Sequence, residues 1–434
     1  MWLMDIKELY AIYKAHPVIT TDSREVPEGS IFFALKGESF DGNKYATAAL
    51  EKGASFAVID DAEVFNNAEI AESAGEKSLI LVDDVLQTFK DLAREHRRQF
   101  DIPVVGITGT NGKTTTKELL ATVLSEKYNV LFTQGNFNND VGVPKTLFRL
   151  APEHEIAVVE MGASHPGDIK TLVETAEPTC GLITNVGRAH LQGFGSFEGV
   201  KATKGELYDY ILNKEKAFVF LNTRDADLSA MAEERKVATK PYVDGAITKC
   251  DPYLTVAVDE ALPEIHLQLV GSYNLPNILA AITVGRHFGV SDTQIKHALE
   301  NYAPTNNRSQ LTVTESNRLV VDAYNANPTS MAAAIDNFRM IETDLQKMAI
   351  LGDMKELGEA SEAEHKTIVA KIEAAGFDEV WLVGENFKNT GTTMRCFNNV
   401  EEVKAAIAET PIRNKFVLIK GSNSTKLFQL PELL

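Results

Sequence analysis

The segment GITGTNGKTTT (106–116) joins two stretches of different periodicity. On its N-terminal side, DIPVVGIT (101–108) is a short apolar run typical of a buried strand. On its C-terminal side, TTKELLATVLSEKY (115–128) places leucine and valine at helical spacing. A glycine-rich turn between a strand and a helix presents backbone N–H groups at the positive end of the helix, where phosphate oxygens bind. The segment therefore predicts a phosphate-binding loop.

Two side chains of this loop have the chemistry that a bound nucleotide requires. The ammonium group of Lys113 can neutralise the β- and γ-phosphates, and the hydroxyl group of Thr114 can bind Mg²⁺. The spacing departs from the usual G-x4-G-K-S/T pattern, because Ile107 stands where the first glycine belongs. We therefore expect a variant phosphate loop that binds a nucleotide together with magnesium.

Apolar strands alternate with helices along the residues that follow the loop. The runs EIAVVEM (155–161), CGLITNV (180–186) and KAFVFLN (216–222) indicate buried strands. Such alternation favours a parallel sheet that is covered by helices on both faces. We therefore expect the phosphate loop to lie at one end of a central parallel sheet.

The stretches before and after this unit show the same alternation. IFFALKG (31–37) precedes it and LVVDA (319–323) follows it, each beside a helical pattern. A length of 434 residues corresponds to roughly three domains of about 150 residues. The central domain is predicted to be a phosphate-loop ATPase-like domain, and the last to be Rossmann-like. We therefore predict three consecutive α/β domains, with the bounds 1–101, 102–305 and 306–434.

The composition excludes several classes of function. Lys and Arg number 43 against 61 Asp and Glu, a net charge of −18 that is repelled by nucleic acids and by anionic membranes. The three cysteines are widely spaced, which excludes a disulfide scaffold and suits a reducing compartment. The sequence shows neither the apolar core of a signal peptide nor an apolar run of about 18 residues. We therefore expect a cytoplasmic protein that binds neither nucleic acid nor a membrane.

Two polar residues follow predicted strands of the central sheet. Glu160 ends the run EIAVVEM, and His190 lies just beyond CGLITNV. Because ligands of open parallel sheets bind at the carboxyl ends of the strands, we expect Glu160, His190 and the loop to converge. Mg²⁺ prefers oxygen ligands, which favours Thr114 with Glu160; an imidazole is a less usual addition. From spacing alone, a hydrogen-bonded loop histidine and a solvated strand end stay open as alternatives.

The motifs around these residues resemble those of a known family. GITGTNGKT, TQGNFNNDVGVP, EMGASHPGDI and TNVGRAHLQGFGS are similar to the central domain of the Mur ligases, the ATP-dependent amide ligases of peptidoglycan precursor synthesis. TDSREVPEGSIFFALKGESFDG (21–42) resembles their UDP-binding N-terminal domain. DAYNANPTSM (322–331) and LGDMKELG (351–358) resemble their C-terminal domain. The resemblance extends over nearly the whole chain.

The resemblance assigns roles to individual residues. The catalytic residues that it implies are Lys113, Glu160, His190 and Lys204. The implied ATP-binding residues are Gly109, Thr110, Asn111, Gly112, Lys113, Thr114, Thr115, Asn274, Asn277, Arg308, Asp322, Tyr324 and Asn325. The implied binding residues for the UDP-linked substrate are Ser23, Arg24, Lys36 and Gly37. Without the resemblance, the two asparagines near 275 are expected to cap a helix or a turn.

The resemblance also implies two Mg²⁺ ions, held by Thr114, Glu160, His190 and Lys204. Lys204 aligns with a lysine that family members carry as a carbamate, which would turn a cation into an oxygen-donor anion. From its residue type alone, Lys204 is expected on the exposed surface of a helix. Lys201 lies one turn earlier and is the other candidate for this position.

The implied reaction joins D-alanyl-D-alanine to UDP-N-acetylmuramoyl-tripeptide through an acyl phosphate, with ATP as the phosphoryl donor, in a protein expected to be monomeric. A regulatory or motor P-loop NTPase is an alternative of another class. A GTPase would require an NKxD motif, whereas the chain has only NKEK (213–216). A motor would require an aspartate on the same sheet, where the chain has Glu160. Another amide ligase of the same superfamily is a closer alternative.

Overall fold

The computed structural model describes residues 4–67, 79–304 and 310–434. Within these ranges the chain forms three consecutive α/β units, each built around a mainly parallel sheet. This arrangement confirms the predicted fold class. No helix in the described ranges is both long enough and apolar enough to cross a membrane.

The first unit contains a short parallel sheet and a separate hairpin. Its strands are β1 (Ile19–Thr20), β2 (Ile31–Phe33), β3 (Lys36–Gly37), β4 (Phe40–Asp41), β5 (Phe56–Ile59) and β6 (Leu79–Leu81). Its helices are α1 (Ile6–Ala15), α2 (Ala46–Glu51), α3 (Ala62–Asn66) and α4 (Val85–Arg97). The sheet order is β1-β2-β5-β6, and β3 pairs with β4. The run IFFALKG forms two strands rather than one, because the Leu35 N–H donates to the Phe33 carbonyl in a tight turn between them.

The central unit contains a six-stranded sheet in which every pair of neighbours is parallel. Its strands are β7 (Val104–Thr108), β8 (Val130–Phe132), β9 (Ile156–Glu160), β10 (Cys180–Ile183), β11 (Phe218–Leu221) and β12 (Thr239–Pro241). Its first helices are α5 (Lys113–Ser125), α6 (Gly142–Leu147), α7 (Asp168–Ala176), α8 (Leu191–Phe194), α9 (Phe197–Leu212) and α10 (Ala226–Arg235). The sheet order is β12-β11-β10-β7-β9-β8. Strands β8 and β9 lie on one side of β7 and strands β10 to β12 on the other, so the strand order reverses at β7. Ligands of such sheets bind at this switch point.

Strand β7 is apolar on both faces because both faces of the sheet are covered. Successive strand side chains point to opposite faces. Val105 and Ile107 therefore join the core that contains Leu119 of α5, whereas Val104 joins the core that contains Leu172 of α7. All five residues of β7 are buried, so the strand holds its carboxyl end in a fixed position.

The central unit continues with an antiparallel sheet that the sequence analysis did not predict and with the helix that GSYNLPNILAAITVGRHFG (271–289) predicts. Strands β13 (Ala246–Cys250), β14 (Tyr253–Ala257) and β15 (Ile265–Val270) form an antiparallel sheet, followed by α11 (Leu275–His287) and α12 (Asp292–Asn301). Strand β13 is largely exposed and polar, so it lacks the apolar run that marks the buried strands. Helix α11 packs along α5 and thereby brings its N-terminus to the phosphate loop.

The third unit has a second six-stranded sheet, in the order β16-β17-β21-β18-β19-β20. Its strands are β16 (Gln310–Val313), β17 (Arg318–Asp322), β18 (Gln346–Gly352), β19 (Glu379–Val383), β20 (Arg395–Phe397) and β21 (Lys415–Lys420). Its helices are α13 (Pro328–Met340), α14 (Ser361–Ala375), α15 (Glu385–Lys388) and α16 (Val400–Glu409). The edge strand β16 is antiparallel to β17, and the other neighbours are parallel.

A buried arginine fastens the first unit to the central one. The Arg97 guanidinium at the end of α4 donates to the backbone carbonyls of Phe100 (2.7 Å), Ile102 (3.3 Å), Ala176 (3.3 Å) and Glu177 (3.4 Å). Arg97 is buried, so these carbonyls replace the water that its charge would otherwise require.

We expect Arg97→Ala to lower the free energy of unfolding by about 2–4 kcal/mol, because several buried carbonyls would lose a charged donor. The matched control is Arg94→Ala, which removes a partly exposed ion pair to Asp91 on the same helix. That change should cost less than about 1 kcal/mol. Urea unfolding followed by circular dichroism measures both, and equal losses would contradict the anchoring role of Arg97.

Candidate active site

The phosphate loop turns at two glycines that no other residue could replace without strain. Gly109 has φ 140° and Gly112 has φ 81°, both in the region that favours glycine. A Cβ at Gly109 would lie 2.1 Å from the Thr184 hydroxyl oxygen, and one at Gly112 would lie 2.7 Å from the Asn277 amide oxygen. The loop therefore fits closely between β10 and α11, and it ends at the N-terminus of α5, where anions bind.

Lys113 lies over this loop. Its ammonium group donates to the carbonyl oxygens of Gly109 (2.8 Å) and Thr110 (3.2 Å). The charge is thus held beside the first turn of α5, where the sequence analysis placed the phosphates. Asn185 fixes the other side of the loop, since its carbonyl and amide oxygens accept from the N–H groups of Thr110 and Asn111, each at 3.0 Å.

Glu160 ends β9 with its carboxylate buried beside the loop. The Oε1 atom accepts hydrogen bonds from the Thr114 hydroxyl (3.2 Å) and from the Asn138 amide (2.8 Å). The Oε2 atom is buried and has no hydrogen-bond partner among the described residues. A buried oxygen that lacks a donor indicates a missing ligand. Thr114 and Glu160 offer the hydroxyl and carboxylate oxygens that Mg²⁺ prefers, so the residues fit a magnesium ion.

The described residues hold no cluster of three or more His, Cys, Asp and Glu side chains that could bind a metal ion by themselves. Mg²⁺ keeps several waters and usually takes one or two protein ligands together with phosphate oxygens. The magnesium site stays a prediction, in which phosphate oxygens of a nucleotide would supply further ligands.

His190 has its backbone in the left-handed region, at φ 50°. Its Nδ1 atom contacts the carboxylate of Glu356, which comes from the third unit and also has a positive φ of 62°. The pKa of His190 is lowered from its usual value, because the effect of burial exceeds the opposing effect of the nearby Glu356 carboxylate. The neutral imidazole is the form that can bind a metal ion. The structure thus brings His190 to the cavity together with a partner that the sequence analysis missed.

Lys204 is not on an exposed helix surface, contrary to the expectation from its residue type. It lies on the buried face of α9, at 2% exposure, with its ammonium group 5.4 Å from the centre of the Phe194 ring. The ammonium group donates weakly to the Ala163 carbonyl at 3.5 Å. Burial and the positive charge of Lys113 hold the pKa of Lys204 well below its usual value. Lys201 faces outward instead and pairs with Glu198 at 2.7 Å.

One cavity of about 720 Å³ connects most of the predicted residues. The predicted residues in its wall are Thr110, Asn111, Gly112, Lys113, Thr114, Thr115, Glu160, His190, Asn274, Asn277, Asp322, Tyr324 and Asn325. Gly109 and Lys204 are not among the lining residues. Arg308 lies outside the described residues. The predicted residues in the wall therefore come from the central and third units.

The two asparagines near the start of α11 bond to each other and to their surroundings. The Asn277 amide donates to Asn274 Oδ1 (3.0 Å), and the Asn274 amide donates to the Val270 carbonyl (2.9 Å). The Thr116 hydroxyl donates to Asn277 Oδ1 at 3.0 Å. Neither side chain caps α11 by a hydrogen bond to its N–H groups. Both line the cavity. Their role in ATP binding stays a prediction.

The third unit contributes an ion pair between Asp322, which the sequence predicts as an ATP-binding residue, and Lys420, which it does not. Asp322 accepts a hydrogen bond from the ammonium group of Lys420 at 2.6 Å, and the same group donates to the Asn325 carbonyl at 3.1 Å. Lys420 is 1% exposed and lies at the end of β21, next to β17. Its position at a strand end, in the run FVLIKG, was the available signal.

The four residues predicted for the UDP-linked substrate lie apart from the cavity. Arg24 pairs with Asp22 at 2.6 Å, and Lys36 pairs with Asp60 at 2.8 Å. The carbonyl of Ser23 accepts from Lys52, and Gly37 lies under the Phe40 ring. Their binding role stays a prediction.

Comparisons with known proteins show which family the chain belongs to. Three family models match the chain in succession: the catalytic domain of the Mur ligase family (17–97), the Mur ligase middle domain (107–285) and the Mur ligase glutamate ligase domain (307–423). The chain therefore belongs to the Mur ligase family. This membership confirms the expectation of a ligase and excludes the regulatory or motor NTPase.

Two similar relatives are named UDP-N-acetylmuramoyl-tripeptide–D-alanyl-D-alanine ligase. The relative from Bacillus subtilis is 32% identical over 95% of this chain and 92% of its own, and that from Escherichia coli is 32% identical over 96% and 93%. The MurF structure from Acinetobacter baumannii has a TM-score of 0.84 at 29% identity, over 95% of this chain and 92% of its own. MurF from Thermotoga maritima in complex with ADP has a TM-score of 0.83 at 27% identity, over 96% of both chains.

We expect Asn138→Ala to weaken Mn²⁺ binding in the presence of ADP by about 10- to 100-fold, because Glu160 would lose a donor that orients its carboxylate. Electron paramagnetic resonance of free Mn²⁺ measures this affinity. The control is Gln134→Ala, an exposed residue of the same loop that lies outside the cavity wall. An unchanged affinity in Asn138→Ala would mean that Asn138 does not position Glu160.

Proposed function

We propose that this protein joins D-alanyl-D-alanine to UDP-N-acetylmuramoyl-tripeptide in peptidoglycan precursor synthesis, with ATP converted to ADP and phosphate. One observation carries the ATP-dependent part of the proposal: the phosphate loop, the unpartnered oxygen of Glu160 and residues of the third unit line one cavity. The name shared by relatives that match along 95% of the chain supports the choice of substrates. Substrates of this kind place the reaction in the cytoplasm.

The chemistry follows from the groups around the cavity. The terminal carboxylate of the tripeptide attacks the γ-phosphorus of ATP, and ADP leaves, which gives an acyl phosphate. The amine of D-alanyl-D-alanine then attacks the acyl carbon, loses a proton, and expels phosphate to form the amide. Lys113 stabilises the negative charge of the phosphoryl group as it is transferred. Closure of the third unit over the cavity would keep water from the acyl phosphate, which water would hydrolyse.

Two Mg²⁺ ions would supply further charge neutralisation at the phosphates. Thr114 and Glu160 would hold the first ion, since they meet at 3.2 Å beside the unpartnered oxygen. His190 and a carbamate on Lys204 would serve the second. A lysine adds carbon dioxide only as the neutral amine, and the lowered pKa of Lys204 favours that form.

The predicted domains divide the substrates among themselves. Domain 1–101 would hold the uridine diphosphate through Ser23, Arg24, Lys36 and Gly37. Domain 102–305 would hold the ATP phosphates, and domain 306–434 would complete the ATP site and receive D-alanyl-D-alanine. The contacts between Asn111 and Asn327, at 2.8 Å, support a site shared by the last two. All three would act within a monomer.

A phosphate-release assay with purified protein tests the proposed function. We expect release to require ATP, UDP-N-acetylmuramoyl-tripeptide and D-alanyl-D-alanine together, and mass spectrometry to show the UDP-linked pentapeptide as product. Release from ATP alone, or a product with another amino acid in place of D-alanyl-D-alanine, would contradict it.

We expect Lys204→Ala to abolish most of the activity, because it removes the proposed anionic ligand of the second ion. Formate should restore part of the rate by entering the vacated space. Lys204→Met removes the same amine but fills the space, so formate should not rescue it. Circular dichroism checks that both variants fold.

The control for Lys204 is Lys201→Ala, which removes an outward-facing lysine of the same helix and should stay near wild-type activity. An inactive Lys201→Ala protein beside an active Lys204→Ala protein would contradict the assignment.

A further inference from the structure

The cavity extends beyond the phosphate loop to the first unit. Its wall at that end contains Asp140, Thr171 and Leu172 of the central unit, together with Lys90 of α4. Within the described ranges, Lys90 is the one residue of the first unit in the wall. It stands there because α4 packs against α6 and α7 of the central unit.

Lys90 differs from the other cations of its helix in having no internal partner. Arg94 binds Asp91 at 2.7 Å, and Arg97 binds backbone carbonyls. Arg98, just after the helix, binds Glu177 at 2.6 Å. In the part of the chain that the structure describes, Lys90 makes no hydrogen bond or ion pair with another residue, although it is half-buried. Its charge is therefore available to a ligand.

Lys90 also differs from the other lysines of the cavity. The ammonium group of Lys113 is bound to loop carbonyls, and that of Lys420 is bound to Asp322. The chain as a whole carries a net charge of −18, which repels an anionic peptide unless a local cation attracts it. Lys90 is placed to supply that attraction where the first unit borders the cavity.

We propose that Lys90 binds a free carboxylate of the muramoyl peptide, at a point between its nucleotide and the carboxyl group to be activated. This inference rests on the proposed function. A substrate that is anchored in the first unit and reacts at the phosphate loop must pass along the cavity, and Lys90 lies where the first unit borders it. Lys90 thus helps to select an acidic peptide.

Two carboxylates of such a peptide have this chemistry. One related structure, from Acinetobacter baumannii, is named a UDP-N-acetylmuramoylalanyl-D-glutamyl-2,6-diaminopimelate–D-alanyl-D-alanyl ligase. A glutamyl residue in a peptide chain keeps one free carboxylate, and diaminopimelate adds one at its far end. A peptide with lysine in the third position has only the glutamyl carboxylate.

Steady-state kinetics of Lys90→Ala with the diaminopimelate-containing and lysine-containing tripeptides test the proposal. We expect the KM for the tripeptide to rise roughly tenfold, the loss of one charge-assisted hydrogen bond, with KM for ATP and kcat little changed. Lys90→Arg should keep most of the affinity. Lys170→Ala, an exposed lysine of α7 outside the cavity wall, should match the wild type.

The two tripeptides separate the two carboxylates. A loss confined to the diaminopimelate peptide assigns the contact to its far carboxylate, whereas a loss with both assigns it to the glutamyl carboxylate. In the second case, a peptide amidated at that carboxylate should bind wild type and Lys90→Ala equally. An unchanged KM for both peptides in Lys90→Ala would overturn the proposal. A wild-type protein that ligates neither peptide would instead overturn the proposed function.

Discussion

The carboxylate of Glu160 fixes the geometry on which the rest of the site depends. One of its oxygens joins three elements, since it accepts from Thr114 at the start of α5 and from Asn138 in the loop after β8. The other oxygen is left for a ligand. Burying this carboxylate without its two donors would cost free energy. The site is therefore stable only when the loop, α5 and β9 hold the positions in which these hydrogen bonds form. The same hydrogen bonds therefore stabilise the fold and orient the Glu160 oxygen that has no partner.

The third unit completes the site through contacts with the loops at the carboxyl ends of β7 and β10. Asn111 bonds to Asn327, Arg188 pairs with Glu364 at 2.8 Å, and His190 contacts a carboxylate from the loop after β18. These bonds are polar and partly exposed, so each contributes little stability. Such an interface can open to admit substrates and close to exclude water, as a three-substrate reaction through an acyl phosphate requires.

The sequence was most informative where the backbone itself determines the chemistry. A strand, a glycine-rich turn and a helix can meet in few ways, so the phosphate loop and the position of Glu160 could be predicted. Burial was harder to predict: Lys204 is a residue type that usually lies outside, and only the packing of α9 hides it. Asn138 and Lys420 were missed as partners because their roles depend on which strands are neighbours. The exposed, polar strand β13 has no apolar run from which it could be recognised.

The central claim, that the tripeptide carboxylate is activated by phosphorylation in this cavity, can be tested by the fate of one oxygen atom. The carboxyl group to be activated is labelled with ¹⁸O, and the phosphate released during ligation is analysed by mass spectrometry. An acyl phosphate places one carboxylate oxygen between carbon and phosphorus, and the later attack at carbon leaves that oxygen on phosphate. The account predicts one ¹⁸O atom in each phosphate released. Unlabelled phosphate would show that water attacked ATP, and would contradict it.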